Sequence, residues 1–337
     1  MDIITQPGEV VNIVSSRVPL ALRQQLADLS GKWTQHKTQC PGIARKLAAA
    51  GYPSRAWRVE HCGEKLYYTF CQRCGKSHVT GEDLCRDRFC PVCTWRLSMR
   101  RFARMVQIVD GLRHEHADSE WAFVTLTVEN CKPSELGKTL DEMAHAWDII
   151  MRRKATRESI IGWARSLEVT YNQQTHTLHP HYHVLCLMAP GYAGTDTYLQ
   201  NAWISTVDLR AVPKAQDTQR VQCLASDQTG DDPDAVVSAI LETYKYTVKS
   251  KDLQEMPLKI FRELSEGLKN RRMVAFGGVV KQYAKALDLD DEEEETETAD
   301  EEAEDLARCA ECGSTRVIQI VGAWTGDGYL WRRTARF

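Results

Sequence analysis

The stretch that decides the fold is His179-Pro180-His181-Tyr182-His183-Val184-Leu185. Its polar start leads into the apolar run 184–188, which is the pattern of a β-strand that enters a core. Because side chains alternate along a strand, His181 and His183 face the same side. Two imidazoles side by side at the end of a buried strand can chelate one divalent metal. Two hydrogen-bonded structural histidines are the alternative interpretation.

A carboxylate lies on the preceding segment. Residues 163–171 alternate like a second strand, and a polar, turn-like segment follows them. A hairpin centred near 175–176 would put Glu168 opposite His183 or its diagonal neighbour His181. Two histidines and one carboxylate, with positions left open, suit Mg²⁺ or Mn²⁺ that must still accept a phosphate oxygen. A solubility charge on an edge strand is the alternative role for Glu168.

A third group of side chains falls on a predicted helix over 234–250. Glu242 and Tyr246 are four residues apart and share a face, and Lys249 lies near that face. A phenol nucleophile, a carboxylate that takes protons and a lysine that offsets phosphate charge would together serve phosphodiester chemistry. Tyr244 is the rival nucleophile, but it lies about 200° around the helix from Tyr246. Taken alone, such a segment is more often a solvated face.

Four short motifs occur in order along the chain. They are CRDRFCPVCTWR at 85–96, FVTLTV at 123–128, EVTYN with HPHYHVL at 168–172 and 179–185, and ExxKYxxK at 242–249. Together they resemble the replication initiators of rolling-circle plasmids, which belong to the His-hydrophobic-His (HUH) endonucleases. The resemblance spans roughly 62–283. It implies an α+β sandwich built on an antiparallel sheet, with the histidines on central strands and the tyrosine on a helix packed nearby.

The resemblance also implies a function. The protein would be a sequence-specific, metal-dependent endonuclease and strand transferase acting on single-stranded DNA at a plasmid origin. Tyr246 would form a 5′-phosphotyrosine and release a 3′-OH, His181, His183 and Glu168 would hold Mg²⁺ or Mn²⁺, and Glu242 would activate water in the terminating cleavage. A host helicase and polymerase are further expected partners. The alternatives are a relaxase or transposase of the same superfamily, and a zinc-knuckle DNA-binding regulator without nuclease activity.

Eight of the twelve cysteines have surroundings typical of metal ligands, and four thiolates together bind structural zinc. These eight are Cys62, Cys71, Cys74, Cys85, Cys90, Cys93, Cys309 and Cys312. The CxxC pairs at 71–74 and 90–93 are separated by 15 residues, a usual zinc-ribbon spacing. The family signature favours a set made of Cys62, Cys85, Cys90 and Cys93 instead. The CxxCG pairs at 71–75 and 309–313 would then be halves of a second site, so one or two zinc ions are expected and the pairing stays open.

The other four cysteines are not predicted to bind metal. Cys131, Cys186 and Cys223 lie in apolar strand contexts and are predicted core residues. Cys40 has no predicted partner.

The net charge of −3 hides a basic body. Residues 288–305 hold thirteen acidic residues and no basic ones, and without them 43 basic residues face 33 acidic ones, a formal charge of +10. A basic body favours a nucleic-acid partner. The acidic run is predicted to be a disordered linker, or alternatively a DNA mimic that competes for the basic surface. A basic helix over 95–113 either follows a phosphate backbone or is the outer face of a packed helix; its candidate DNA contacts are Arg96, Arg100, Arg101 and Arg104.

These features divide the chain into five parts. They are an N-terminal segment (1–60), a zinc-binding module with the basic helix (61–115), an HUH nuclease domain (116–286), an acidic linker (287–306) and a C-terminal CxxC knuckle (307–337). The nuclease part has the predicted order β-α-β-β-α-β-α, which favours an antiparallel sheet with helices on one face. No apolar run approaches ~20 residues and 1–30 show no secretory signal, so a cytoplasmic protein without membrane contact is expected.

Overall fold

A computed structural model describes residues 20–191, 196–209, 233–244, 248–287, 308–309 and 311–333. Its helices are α1 (Leu20–Lys37), α2 (Cys40–Ala49), α3 (Pro53–Glu60), α4 (Pro91–Glu115), α5 (Leu136–Arg152), α6 (Lys154–Ser159), α7 (Asp196–Leu209), α8 (Pro233–Thr243), α9 (Ser250–Glu255), α10 (Leu258–Gly267) and α11 (Gly278–Ala286). Its strands are β1 (Lys65–Cys71), β2 (Ser77–Glu82), β3 (Trp121–Thr127), β4 (Ile160–Asn172), β5 (Thr177–Met188), β6 (Val274–Gly277), β7 (Val317–Trp324) and β8 (Tyr329–Arg333). None of the described helices is long and apolar enough to cross a membrane.

The chain forms two compact units, and the division falls inside α4. The first unit is Met1–Arg96 with Thr296–Phe337, and the second is Leu97–Glu295. Both contain an antiparallel sheet combined with helices, as the predicted α+β class requires.

The sheet of the first unit has the strand order β2-β1-β7-β8. The whole of β1 pairs with β7, so that Phe70 faces Ile318 and Cys71 faces Val317. The C-terminal hairpin of β7 and β8 is therefore an integral part of this sheet. Without it, β1 would lose one of its two partner strands.

Helix α1 belongs to the same unit and packs through an apolar stripe along one of its faces. The stripe begins with Leu22 and Leu26 and continues to Trp33, which is 1% exposed and donates from Nε1 to the Tyr68 hydroxyl at 2.8 Å. Helix α1 runs to Lys37, because Trp33 extends the buried face toward its C-terminal end.

The sheet of the second unit has the order β3-β5-β4-β6. Its centre is the long hairpin of β4 and β5, which confirms the predicted hairpin. The turn between them is closed by the Asn172 side chain, whose Oδ1 accepts from the backbone N–H groups of Gln174 and Thr175 at 3.0 and 3.1 Å. Such local side-chain acceptors are why a polar run of this composition turns. In the resulting register, Glu168 is paired directly with His181.

Helices cover both faces of this sheet, so the prediction of helices on one face was wrong. On one face, Tyr182 is contacted by Trp147 of α5 and Trp203 of α7, with ring centroids 6.4 and 5.9 Å away. The opposite face, which contains Leu185, packs against α4, α8 and α11. The side chains these three helices contribute include Met105, Ile108, Ala239, Ile240, Val280 and Ala284. The physical reason is that β5 is apolar on both sides beyond residue 183, so both sides must be shielded from water.

Residues 274–280 form β6 and the start of α11. Val274 pairs with Ser166 and Gly277 pairs with Trp163 on β4. Gly278 has φ +57°, and a Cβ there would lie 2.0 Å from the Ile161 carbonyl oxygen. The glycines therefore allow the chain to pass close to the backbone of β4 where β6 ends and α11 begins.

Candidate metal centres and catalytic site

Glu168, His181 and His183, called the triad below, converge on one point of the second unit. The Glu168 Oε2 atom is 3.2 Å from His181 Nε2 and 3.0 Å from His183 Nε2. The three residues are 6–8% exposed. The hairpin register explains the convergence, since it pairs Glu168 with His181 and makes His183 the diagonal neighbour on the same face.

The outer nitrogens of both imidazoles have their own partners. His181 Nδ1 donates to the His179 carbonyl oxygen at 3.3 Å, and His183 Nδ1 is 3.2 Å from Thr125 Oγ1. Because a carbonyl only accepts, a neutral His181 ring has its lone pair on Nε2, aimed at the carboxylate. A cation between Nε2 and Oε2 would bind both atoms, whereas a protonated ring would donate from Nε2 to Glu168 instead. Outer partners of this kind are what orient metal-binding histidines.

The spacing of the triad fits a metal ion. Ligands at neighbouring corners of an octahedron with bonds of about 2.1 Å are about 3.0 Å apart, close to the observed 3.0 and 3.2 Å. Burial opposes ionisation of Glu168, but hydrogen bonds from His181 and His183 outweigh it and hold the pKa of Glu168 well below its usual range. The ionised carboxylate is the form that binds a cation. One carboxylate and two imidazoles, with the remaining positions open, suit Mg²⁺ or Mn²⁺.

Sequence reasoning missed two residues beside the triad, His179 and Thr127. His179 lies two residues before His181 on the same face, with ring centroids 5.4 Å apart, and its Nε2 contacts the hydroxyl of Thr127 on β3. Burial lowers the pKa of His179. The alternation of three histidines at 179, 181 and 183 was the signal that placed all of them on one face.

The predicted helix that would hold the tyrosine motif ends earlier than expected. Helix α8 stops at Thr243, and Lys249 has extended backbone angles as the N-cap of α9. A continuous helix to 250 was therefore wrong. Tyr246 lies outside the described residues, and so does the side chain of Glu242.

The described residues of this segment show the surroundings of Tyr244, one of the two candidate nucleophiles. Tyr244 is 2% exposed and belongs to the core cluster between the sheet and α4. Its carbonyl oxygen accepts from the Ser98 hydroxyl at 2.5 Å. A phenol packed in this core is not placed to attack DNA, which argues against Tyr244 as the nucleophile.

Lys249 is exposed and lies close enough to Asp252 to act on it electrostatically, as Glu168 also does. Asp252, three residues further on, has a pKa raised first by its burial; the charge of Lys249 lowers it and that of Glu168 raises it. Glu255, on the same short helix, accepts a hydrogen bond from Gln173 in the β4–β5 turn. Helix α9 is thus tied to the hairpin that holds the triad.

The eight predicted zinc cysteines form two separate groups in the first unit. The first thiol cluster is Cys62, Cys85, Cys90 and Cys93, and the second thiol cluster is Cys71, Cys74, Cys309 and Cys312. The zinc-ribbon alternative, which joined the pairs 71–74 and 90–93, is not the arrangement in the structure. In each cluster the ligand atoms lie within 4.8 Å of one another.

The distances within both clusters suit a tetrahedral ion. Sulfur atoms are 3.5 Å apart for Cys62 and Cys93, and 3.6 Å apart for Cys71 and Cys312. Four thiolates around zinc at about 2.3 Å would be about 3.8 Å apart. The pKa of Cys71 is lowered to about 6, first by a hydrogen bond from the Cys74 backbone, whereas the pKa of Cys312 is raised, since a backbone hydrogen bond from Ser314 is outweighed by burial and the neighbouring thiols. Thiolates are the form that binds metal.

The second thiol cluster joins two distant parts of the chain. Gly75 and Gly313 end the two CxxCG turns with φ +73° and +65°, a backbone region that favours glycine. Because β1 ends at Cys71 and its partner β7 begins at Val317, the sheet itself brings the two turns together. The repeated CxxCG pattern had suggested this pairing, and the structure confirms that the four thiols lie together.

The remaining cysteines differ in their surroundings. Cys131 and Cys186 are buried, as predicted, and Cys223 lies outside the described residues. Cys40 is also buried, and its thiol contacts that of Cys90 beside the first thiol cluster. Its position at the start of α2 gave no signal of this contact.

The four arginines of the basic helix also have different surroundings. Arg96 pairs with Glu82 at 2.8 Å and lies over the Trp33 and Trp95 rings, with only 20% of its side chain exposed. These contacts stabilise the first unit and remove Arg96 from the DNA contacts that we propose. Arg100 is exposed, while Arg101 and Arg104 are half-buried.

Comparison with known proteins gives one consistent result. Residues 76–327 match the family described as Replication protein. A Protein rep from Streptococcus pneumoniae serotype 2 is 32% identical over 239 residues, covering 69% of this chain and 72% of that protein. A Protein rep from Lentilactobacillus hilgardii is 30% identical over 265 residues, covering 77% and 83%. A Replication protein from Staphylococcus aureus is 35% identical over 187 residues, covering 52% and 76%. No solved structure gave a significant match.

The matched residues 76–327 include the triad, Tyr246 and five of the eight clustered cysteines. The resemblance that the motifs suggested is thereby confirmed at the level of the family. The chain belongs to the Replication protein family.

Proposed function

We propose that this protein initiates rolling-circle replication of a plasmid by nicking one DNA strand at the origin and later rejoining it. The observation on which the proposal rests is the buried triad, in which Glu168 Oε2 lies 3.2 and 3.0 Å from the Nε2 atoms of His181 and His183. The family supports a role in plasmid replication, and the triad supports metal-assisted phosphodiester chemistry.

The triad would hold Mg²⁺ or Mn²⁺ through Glu168 Oε2 and the Nε2 atoms of His181 and His183. When bound, such an ion supplies Lewis-acid stabilisation of charge on a phosphate oxygen. The protein's own contribution is positioning: β4 and β5 fix the ligands, while Thr125 and the His179 carbonyl orient the rings. Phosphoryl transfer depends mainly on such positioning and on charge.

Tyr246 is the proposed nucleophile. Its phenolate oxygen would form a bond to the scissile phosphorus while the bond to the 3′ oxygen breaks, which gives a 5′-phosphotyrosine and a 3′-OH that a polymerase can extend. Glu242 would accept the phenol proton and, in the terminating cleavage, a proton from water. Lys249, which is exposed near the triad, would offset phosphate charge. A host helicase and polymerase would act on the opened strand.

The two thiol clusters are proposed as structural zinc sites. Their four-thiolate composition and spacing match closed tetrahedral sites with no open position for a substrate. The first cluster would fix the segment before α4, and the second would fix the C-terminal hairpin to β1.

A zinc-dependent DNA-binding regulator is the alternative from another functional class. It leaves the triad unexplained, because burying two imidazoles and a carboxylate together is costly and a regulator has no use for it. Relaxases and single-strand transposases of the same superfamily would use the same residues, but the relatives found are replication proteins.

The proposal is tested by incubating the full-length protein with its own supercoiled plasmid and with a matched plasmid lacking the origin. Nicking is expected only on the first plasmid and in the presence of Mg²⁺ or Mn²⁺. EDTA should stop nicking, added Mn²⁺ should restore it, and protein-bound zinc should stay constant meanwhile. Origin binding without nicking under any of these conditions would favour the regulator.

A further inference from the structure

Trp57 is the most exposed large apolar side chain of the described residues, with 63% of its surface open to solvent. It lies on α3, whose buried residues are Ala56 and Val59, so the packing of this helix does not require the indole. Single exposed apolar residues are common and need no explanation. Trp57 differs because the groups around it hold it in one orientation.

His61 supports one side of the indole. The two rings stack with centroids 4.5 Å apart and an angle of 25° between their planes. His61 Nδ1 is 2.8 Å from the Trp57 carbonyl oxygen, and since a carbonyl only accepts, Nδ1–H is the donor. The imidazole is thereby fixed against Trp57, and most of the indole surface still faces solvent.

Two exposed guanidinium groups belong to the same part of the first unit. Arg58 follows Trp57 and donates from Nη1 to the Cys85 carbonyl oxygen at 3.4 Å, which brings the segment after Cys85 beside α3. The next residue, Arg86, is exposed and has φ +55°. Asp87 does not neutralise these groups, because it is buried and paired with Arg55 at 2.7 Å.

The segment that presents Arg86 is rigidly held. Cys85 belongs to the first thiol cluster, and Asp87 accepts from Arg55 through both carboxylate oxygens, at 2.7 and 3.1 Å. Asp87 also accepts from the backbone N–H of Phe89 at 2.9 Å. A preorganised surface of this kind binds a ligand with little loss of conformational entropy.

We propose that Trp57, His61, Arg58 and Arg86, called the Trp57 platform, form a binding site for single-stranded DNA outside the triad. An unpaired base would stack on the indole, and the two guanidinium groups would bind neighbouring phosphates. Duplex DNA does not fit, because its base faces are already stacked on one another. The proposal rests on the proposed function, which requires single-stranded origin DNA.

The test uses the full-length protein and a fluorescein-labelled oligothymidylate of 20 nucleotides, with binding followed by anisotropy. Trp57→Ala should weaken binding by roughly 5- to 150-fold, the range for removal of one base stacked on an aromatic ring. Trp57→Phe is the matched control, which keeps a stacking ring and should retain most of the affinity. Affinity for a 20-base-pair duplex should change less than twofold in both variants.

The arginines give an independent readout. Arg58→Ala with Arg86→Ala should lower the slope of log affinity against log salt concentration by roughly 0.7 for each phosphate that the variant no longer binds. Arg45→Ala, an exposed arginine on α2, is the matched control and should leave the slope unchanged. An unchanged slope in the Arg58 and Arg86 variant would overturn the role of these two residues.

Hydroxyl-radical footprinting of the wild-type protein tests the site without any variant. The oligothymidylate should protect Trp57 from oxidation, and equal oxidation with and without it would overturn the proposal. Equal weakening on single-stranded and duplex probes would also overturn it, since it would point to a general surface or a protein-binding site. If the platform variants bind normally but the plasmid is nicked at its origin, this inference fails while the proposed function stands.

Discussion

Glu168 and His181 face each other across neighbouring antiparallel strands, with Oε2 and Nε2 3.2 Å apart in a buried position. The relationship follows from the hairpin register, because strand pairing puts directly opposed side chains on the same face at close distance. His183, two residues further along β5, completes the group from the diagonal position. A hairpin alone is therefore sufficient to assemble all three ligands.

Changing the triad should remove the exchangeable metal without unfolding the protein. Glu168→Gln keeps the shape but removes the charge, and we expect Mn²⁺ affinity, measured by calorimetry, to fall at least about 10-fold. Thr125→Val removes only the outer partner of His183 and should cost about 10-fold. His145→Ala, an exposed histidine on α5, is the control and should bind Mn²⁺ normally. Unchanged affinity in Glu168→Gln would show that the triad is not the metal site.

Tyr244 should behave as a core residue and not as the nucleophile. It is 2% exposed within the core cluster. Tyr244→Phe keeps the ring and should leave DNA cleavage within about twofold of wild type, whereas Tyr244→Ala should destabilise the second unit by about 3–5 kcal/mol through the cavity it leaves. Urea unfolding and an oligonucleotide cleavage assay measure the two effects. Cleavage abolished in a folded Tyr244→Phe variant would reverse the assignment of the two tyrosines.

The second thiol cluster should be needed for the stability of the first unit. Cys309→Ser combined with Cys312→Ser should reduce bound zinc from two equivalents to one and lower the melting temperature by roughly 5–10 °C. Cys131→Ala, a buried cysteine outside both clusters, should keep both equivalents. Elemental analysis of anaerobically purified protein decides the matter, and unchanged zinc in the double variant would show that the C-terminal turn binds none.

Substitution of Arg96 should affect stability and substitution of Arg100 should affect DNA binding, although both residues lie on α4. Arg96→Ala removes the ion pair with Glu82 and the packing on Trp33, so we expect a decrease of about 1–2 kcal/mol in the free energy of unfolding. Arg100→Ala should change stability by less than about 0.5 kcal/mol and should weaken DNA binding, most strongly at low salt. The reverse pattern would return Arg96 to the proposed DNA contacts.

Local patterns predicted the parts of the site that local physics determines. The alternation of β4 and β5 and the polar turn after Asn172 were enough to bring Glu168 to the two histidines. The sequence left two candidate partners for Glu168, because a shift in the hairpin centre by one residue changes which histidine lies opposite. The Asn172 side chain, which fixes the turn, resolves that choice.

The sequence suggested one contact between distant parts of the chain but did not decide it. The two CxxCG patterns made a shared site plausible and left the zinc-ribbon pairing open; the pairing of β1 with β7, more than two hundred residues apart, is what brings Cys71 to Cys312. The end of α8 at Thr243 had no local signal, because apolar residues continue beyond it at helical spacing, as Tyr244 and Val248 show. The role of Arg96 was hidden because its partners, Glu82 on β2 and Trp33 on α1, meet it only in the folded first unit.

The most direct test of the central claim is to map the residue that becomes linked to DNA. Single-stranded DNA containing the origin is incubated with the protein and Mn²⁺, the covalent product is digested with protease, and the modified peptide is sequenced by mass spectrometry. We predict a phosphodiester between Tyr246 and the 5′ end of the cleaved strand, absent in Tyr246→Phe and in EDTA. A product attached elsewhere, or cleavage of the origin that leaves no covalent product, would contradict the account.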